Sequence, residues 1–238
     1  NFFIRVISTA IYIIRDYSMK KVWVEISKNA IVHNIRLVRK LLKPRTKLFA
    51  VVKSNAYGHG LAAFSGIAEK QEIDGFCVDS VVEGLKLRKN GLKSPILVLG
   101  PTLPFNSIED AKKAKIGITI STPSALETLS KMKVPPEFHL KIDTGMHRQG
   151  FQFDDLPMVI KLLSAKRKAQ SNSKGASRLA LRDLLTGIYT HFAAAKDLNY
   201  PTFTDFQFHA FKKALALFEA AGFKNLIRTA SLVFSQSS

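Results

Sequence analysis

Short apolar runs alternate with longer, mixed segments along most of this 238-residue chain. Residues 47–53, 75–78, 96–99, 116–121, 138–142, 187–191 and 225–230 each hold a block of β-branched, aliphatic or aromatic residues bounded by turn or polar residues. Such blocks read as strands buried on both faces. The intervening segments carry helical signals. Ile31, Ile35, Val38 and Leu42 share one helical face behind Ser27, a good N-cap. Ser80-Val81-Val82-Glu83 is a capping box opening a helix that stops at Asn90-Gly91. Thr122 caps a helix with Pro123 in its first turn. Phe208, Phe211, Leu215 and Phe218, three and four residues apart, predict the core stripe of a long helix. Residues 22–26 alternate like one further short strand.

Strand and helix take turns throughout, with no run of hairpins. That pattern means parallel β/α units, in a TIM barrel or a doubly wound sheet. No Gly-x-Gly-x-x-Gly follows the first strand, which weighs against a dinucleotide-binding sheet. The expected fold is α/β: a TIM-like (β/α)8 barrel over residues 19–238, incomplete, with about seven β/α units and the eighth strand missing. Residues 1–18 are set outside that fold as an extension or upstream translated stretch. Their apolar run, residues 6–14, is far shorter than the roughly 20 residues that span a bilayer. Residues 165–177 are polar and basic and read as a solvated insertion.

Charge and cysteine content narrow the function classes. The net charge of +18 raises nucleic acid or an anionic membrane as partners. The basic residues are spread along the predicted helices, however, and no zinc finger or RNP sequence accompanies them. The favoured reading has neither nucleic acid nor membrane as partner, and the cations serve anionic small ligands. The single Cys77 excludes a disulfide framework and a cysteine zinc site, and suits the reducing cytoplasm. No metal site is expected.

In a barrel of this kind chemistry gathers at the C-terminal ends of the strands. The first strand delivers Lys53 there, with Tyr57 four residues on. The fifth delivers Lys141-Ile142-Asp143-Thr144-Gly145-Met146-His147-Arg148-Gln149-Gly150, the sixth Tyr189-Thr190-His191-Phe192-Ala193, and the seventh Thr229-Ala230-Ser231. Each group taken singly has an ordinary structural alternative. Lys53 could snorkel to water, Lys141 and Asp143 could form an ion pair, and His191 could be a hydrogen-bonded strand-end residue. Arg148 could be a surface charge and Ser231 a helix cap.

Together these residues carry a specific resemblance. Phe49-Ala50-Val51-Val52-Lys53-Ser54-Asn55-Ala56-Tyr57-Gly58-His59-Gly60 is similar to the cofactor-lysine motif of the alanine racemases, pyridoxal-phosphate enzymes of fold type III built on a TIM-like barrel. The string from Lys141 to Gly150 resembles a second motif of that family, and Thr190-His191-Phe192-Ala193 supports it. The resemblance runs from Trp23 to Ser231. It implies that Lys53 forms a Schiff base with pyridoxal 5'-phosphate and moves a proton on one face of the substrate. Burial beside other cations is expected to lower the pKa of Lys53 for that work. Tyr57 and Ser231 are implied to bind the phosphate, although the family usually has Asn where Ala230 stands. His191 is implied to lie against the pyridine ring. Arg148 is implied to sit by the cofactor's phenolic oxygen and the substrate carboxylate, which Met146 contacts through its backbone. Lys141 falls at a position often carbamylated in the family.

The implied activity is interconversion of L-alanine and D-alanine, supplying D-alanine for peptidoglycan. The implied assembly is a homodimer in which a tyrosine from the partner's C-terminal β-domain is the second acid–base group. That domain and its tyrosine lie outside residues 1–238, so the fragment is expected to be inactive alone. The alternatives are a broad-specificity amino-acid racemase, a D-threonine-aldolase-like enzyme on the same barrel, or a non-catalytic pyridoxal-phosphate-binding protein.

Overall fold

A computed structural model of the chain describes residues 2–4, 24–101, 106–165, 180–195 and 201–232. Eight strands form one parallel sheet: β1 (Phe2–Ile4), β2 (Phe49–Val51), β3 (Gly75–Val78), β4 (Ile96–Val98), β5 (Ile118–Ile120), β6 (Phe138–Lys141), β7 (Leu185–His191) and β8 (Ile227–Leu232). Their order is β4-β3-β2-β1-β8-β7-β6-β5. A parallel bridge between Leu97 and Gly117 joins the two ends of that order, so the sheet closes on itself. The Val98 N–H donates to the Gly117 carbonyl at 2.9 Å, and the Gly117 N–H to the Ile96 carbonyl at 2.9 Å. The architecture is a TIM-like barrel, and all seven strands read from the central apolar blocks are present.

Two expectations about the N-terminal region change. Residues 1–18 were set outside the fold, yet Phe2–Ile4 pairs with β8 (Phe2 with Ala230, Ile4 with Leu232) and with β2 (Ile4 with Ala50). The slot expected to be empty for want of an eighth strand is therefore filled from the N-terminal segment. The physical reason is edge satisfaction. Without a neighbour, the facing edges of β2 and β8 would present unpaired N–H and C=O groups, and three residues of high strand propensity supply partners. The alternating stretch 22–26 forms no strand where it is described: residues 24–27 are irregular, and 22 and 23 lie outside the described residues. Most of the basic insertion also lies outside them.

The helices form as their caps dictate. The Ala30 N–H donates to the Ser27 hydroxyl at the start of the helix Lys28–Leu41, which buries Ile31 and Ile35. Ser80 and Thr122 cap the helices Val81–Lys89 and Pro123–Lys131 in the same way. The long helix Thr202–Ala220 is rotated from expectation. It buries Gln207, Phe211, Ala214 and Phe218, and leaves Phe208 exposed. Phe211 and Phe218 set the phase, and the turn before them faces inward at position 207, about 100° away from 208.

The core has two parts. Alternate strand residues such as Ala50, Phe76, Val98, Ile118, Leu140 and Ile188 face outward and pack against the helices. Inside the barrel, Phe49, Cys77 and Leu97 form a small apolar cluster with Val51 and Leu99. The opposite wall of the interior is polar: Thr119, His139, Lys141, Tyr189 and Thr229 are all buried. This asymmetry places the chemistry.

Candidate active site

Lys53, separated from β2 by Val52, begins a turn of unusual hand. Ser54, Asn55, Ala56 and Tyr57 have φ between 52° and 56°, a left-handed helical turn built without glycine. Each such residue costs about 1–2 kcal/mol relative to the right-handed form. The turn persists because its backbone groups are held. The Ser54 N–H donates to a Glu83 carboxylate oxygen at 2.7 Å, and the Asn55 side-chain oxygen accepts from the Leu61 N–H at 2.8 Å. Gly58 and Gly60, with φ of 93° and 84°, then release the chain into the helix Leu61–Ala68.

In sequence Glu83 is only the last residue of a capping box. Its N–H does donate to Ser80 at 3.3 Å, but its second carboxylate oxygen accepts from the Asp79 N–H at 2.7 Å. One carboxylate thereby ties together the ends of β2 and β3. Asp79 in turn pairs with Lys53, Nζ to Oδ1 at 3.3 Å. The Lys53 side chain is one-third exposed at the barrel mouth, and that of Asp79 is more than half exposed. Neither Asp79 nor the second role of Glu83 was found from sequence. The signal available was their position, just past the end of an apolar strand.

Across the mouth, Lys141 ends β6 with only 4% of its surface exposed. Its Nζ lies 3.4 Å from the Gln149 amide oxygen and 5.9 Å from the centre of the Tyr189 ring. The Gln149 amide nitrogen donates onward to Ser121 at 3.0 Å. Burial pushes the pKa of Lys141 down to about 8, with the charges of Arg148 and Lys53 adding to the shift and Asp143 opposing it. Solvent access separates the two lysines: the Lys53 side chain is one-third exposed and paired with Asp79, whereas Lys141 is buried.

The loop after β6 is folded around Asp143. Its Oδ1 accepts from the N–H groups of Gly145, Met146 and His147 at 2.9–3.1 Å. Burial alone would raise the Asp143 pKa, but these three donors outweigh it and hold the carboxyl below its usual range. The Met146 N–H is one of these three donors, at 2.9 Å. Gly150 closes the loop where the backbone of Asp143 leaves no room for a Cβ.

Below the mouth, the Tyr189 hydroxyl lies 3.1 Å from Thr119 Oγ1 and 3.4 Å from the Leu99 carbonyl. Burial raises its pKa well above the ordinary phenol value, so it is a neutral floor group. His139 lies deeper, with its ring where a Gly187 Cβ would stand, and burial lowers its pKa to about 4. His191 ends β7 and is partly exposed, as is Tyr57. The side chain of Ser231 lies outside the described residues, although its backbone pairs with His191 in β8.

The structure thus places Lys53 and Arg148 where the charge of each acts on Lys141, at one end of a closed barrel. An accessible primary amine beside two further cationic side chains suits an anionic aldehyde such as pyridoxal phosphate: the amine can condense with the carbonyl, and the cations favour the phosphate. Among the described residues no group of three or more His, Cys, Asp or Glu side chains could hold a metal ion. Among them, too, no helix is long and apolar enough to cross a membrane.

Comparison with known proteins agrees with this geometry. Residues 26–233 match the family described as alanine racemase, N-terminal domain. The chain is 32% identical over 212 residues to the alanine racemase of Leptospira interrogans, covering 87% of this chain and 50% of that protein. It is 36% identical over 185 residues to a serine/alanine racemase of Enterococcus gallinarum, covering 76% of this chain and 24% of that protein. Among solved structures, alanine racemase of Clostridium difficile 630 superposes with a TM-score of 0.71 at 29% identity, covering 85% of this chain and 50% of that one. The chain therefore spans about half the length, or less, of the relatives it matches. Enzymes of this family depend on pyridoxal phosphate. Closed parallel barrel, strand-end lysine and matched sequence together make this chain a member of the alanine racemase family, corresponding to its N-terminal domain.

Proposed function

We propose that this chain is the cofactor-binding barrel of a pyridoxal-phosphate-dependent racemase that interconverts L-alanine and D-alanine. The observation that carries the reading is Lys53: an accessible amine at a strand end, next to cations, in the segment matching the family. Bound pyridoxal phosphate supplies an electron sink that makes the α-hydrogen of an attached amino acid acidic. The chain's residues supply the rest. Lys53 holds the cofactor and moves a proton at Nζ on one face of the substrate. Tyr57 and Ser231 would bind the phosphate, and His191 would hold the cofactor ring. Arg148 orients the substrate carboxylate and the cofactor's phenolic oxygen. Lys141, a buried amine with its pKa near 8, is the lysine suited to take up carbon dioxide as a carbamate that would pair with Arg148. Met146, whose N–H also bonds to Asp143, would offer a backbone contact to the substrate carboxylate.

Inversion needs a second proton-handling group facing Lys53 across the substrate. In this reading it is a tyrosine of the partner subunit in a homodimer, outside residues 1–238, so the chain alone is a poor racemase. The product D-alanine serves peptidoglycan in the cytoplasm, the compartment that suits the free, buried Cys77. Serine is a second substrate to test, because the Enterococcus gallinarum relative is named a serine/alanine racemase.

The test is α-hydrogen exchange. The chain loaded with pyridoxal phosphate is incubated with each alanine enantiomer in D2O and followed by proton NMR. Deuterium entering the α-position with wild type and not with Lys53→Ala is the expected result. A folded, loaded chain that exchanges neither enantiomer would overturn the reading.

A further inference from the structure

The polar groups of the two site loops converge on one side chain that belongs to neither. Gln207 lies on the inner face of the helix Thr202–Ala220 and is fully buried. Its amide oxygen accepts from the Ala193 N–H at 2.9 Å. Its amide nitrogen lies 3.4 Å from Thr144 Oγ1 and 3.4 Å from the His191 carbonyl. Both amide hydrogens and the carbonyl oxygen are therefore used, as a buried amide requires. Thr144 is itself bonded to Thr190 Oγ1 at 2.8 Å, so the connection from the β6 loop to β7 is doubled. Gly145 adds steric contact: a Cβ there would lie 3.6 Å from Gln207 Cγ and 3.2 Å from Phe203, which sits on the same helix.

We propose that Gln207 is a positioning residue that locks the loop carrying Arg148 against the end of β7 carrying His191. The inference rests on the reading above for its consequence, since those two residues are there assigned to the cofactor. Its physical basis does not depend on that reading. A helix packed rigidly on the core by Phe211, Ala214 and Phe218 extends one amide into the gap between two loops. That amide fixes their separation by directional bonds at both ends. An apolar side chain of the same length would fill the space but supply neither the acceptor for the Ala193 N–H nor the donors to Thr144 and the His191 carbonyl, leaving the loops free to shift.

The experiment compares wild type with Gln207→Met, and with Thr144→Val as a milder variant that keeps the glutamine. Amide hydrogen exchange of the cofactor-free chain is the first readout. Loosening confined to residues 143–148 and 192–194, at least tenfold faster with the core strands unchanged, is expected for Gln207→Met; Thr144→Val is expected to give a smaller acceleration in 143–148. Uniform acceleration over the whole chain, or none, overturns the proposal. Should Gln207→Met fail to fold, Thr144→Val decides by the same criterion.

The second readout is cofactor affinity, titrated by the near-visible absorption band. Gln207→Met should weaken it about tenfold in the wild-type background and less than twofold in an Arg148→Ala background, because the two changes remove the same placed group. Equal losses in both backgrounds contradict positioning through Arg148. If wild type gives no band while the exchange effect is localised, the cofactor reading fails and the clamp stands.

Discussion

Two lysines face the same barrel mouth, and their surroundings are opposite. Lys53 follows β2 on a left-handed turn, one-third exposed and paired with Asp79. Lys141 ends β6 almost fully buried, its amine hydrogen-bonded to the neutral Gln149 amide. The β2–β3 side is tied together by carboxylates, Asp79 to the amine and Glu83 to two backbone N–H groups. The β6–β7 side is tied together by neutral side chains: Gln149 to Ser121, Thr144 to Thr190, and Tyr189 to Thr119. The difference separates two uses of a lysine. An amine that must meet an incoming aldehyde has to be reachable, whereas one that only shapes the field can be buried at the cost of its charge.

The comparison is broken most severely at Gly150. With φ at 138° and a Cβ that would meet the Asp143 nitrogen at 2.6 Å, Gly150→Ala should cost about 3 kcal/mol, measured by denaturant unfolding. A loss under about 1 kcal/mol would mean that the β6 loop is not held as described.

The next largest effect is pH-dependent. Lys141 has its pKa lowered from 10.5 to about 8, so between these values the unfolded chain binds the extra proton. Its contribution to stability therefore rises with pH from about 8 to about 10.5, by about 3 kcal/mol in all. Lys141→Met should be the more stable protein at pH 7, and its advantage should shrink across that window. An advantage that does not change with pH would show that Lys141 is not charged at a cost.

The carboxylate side gives smaller effects. Glu83→Ala removes the acceptor of two backbone N–H groups at the edge of the mouth and should cost about 1–2 kcal/mol. It should also relax the left-handed turn, visible as faster amide exchange at Ser54. Asp79→Asn removes only an exposed ion pair and should change stability by less than about 1 kcal/mol. A large loss there would make Asp79 a structural anchor.

Much of this was legible in the chain itself, and the limits follow from physics. The seven central strands announced themselves because strands buried on both faces must be apolar throughout. Lys53, Lys141, Arg148 and His191 could be found because they interrupt or follow such runs. Phe2–Ile4 gave no comparable signal, since three residues acquire a place only when two distant edges need a partner. The left-handed turn contradicts local propensity at four non-glycine residues, and contacts to Glu83 and Leu61 sustain it. Gln207 gives no signal of its own, because the phenylalanine-rich stripe points to Phe208 as the buried position one residue on. The burial of Lys141 leaves no mark in the sequence, because it depends on which strand ends deeper, a property of the closed barrel.

The central claim is that Lys53, and not Lys141, is the amine that carries the cofactor. Borohydride reduction of the chain after incubation with pyridoxal phosphate, followed by peptide mass mapping, tests it directly. The account predicts a phosphopyridoxyl group on the peptide containing Lys53, and its loss in Lys53→Ala. Labelling of Lys141 in the folded wild-type chain, with Lys53 unmodified, would contradict it.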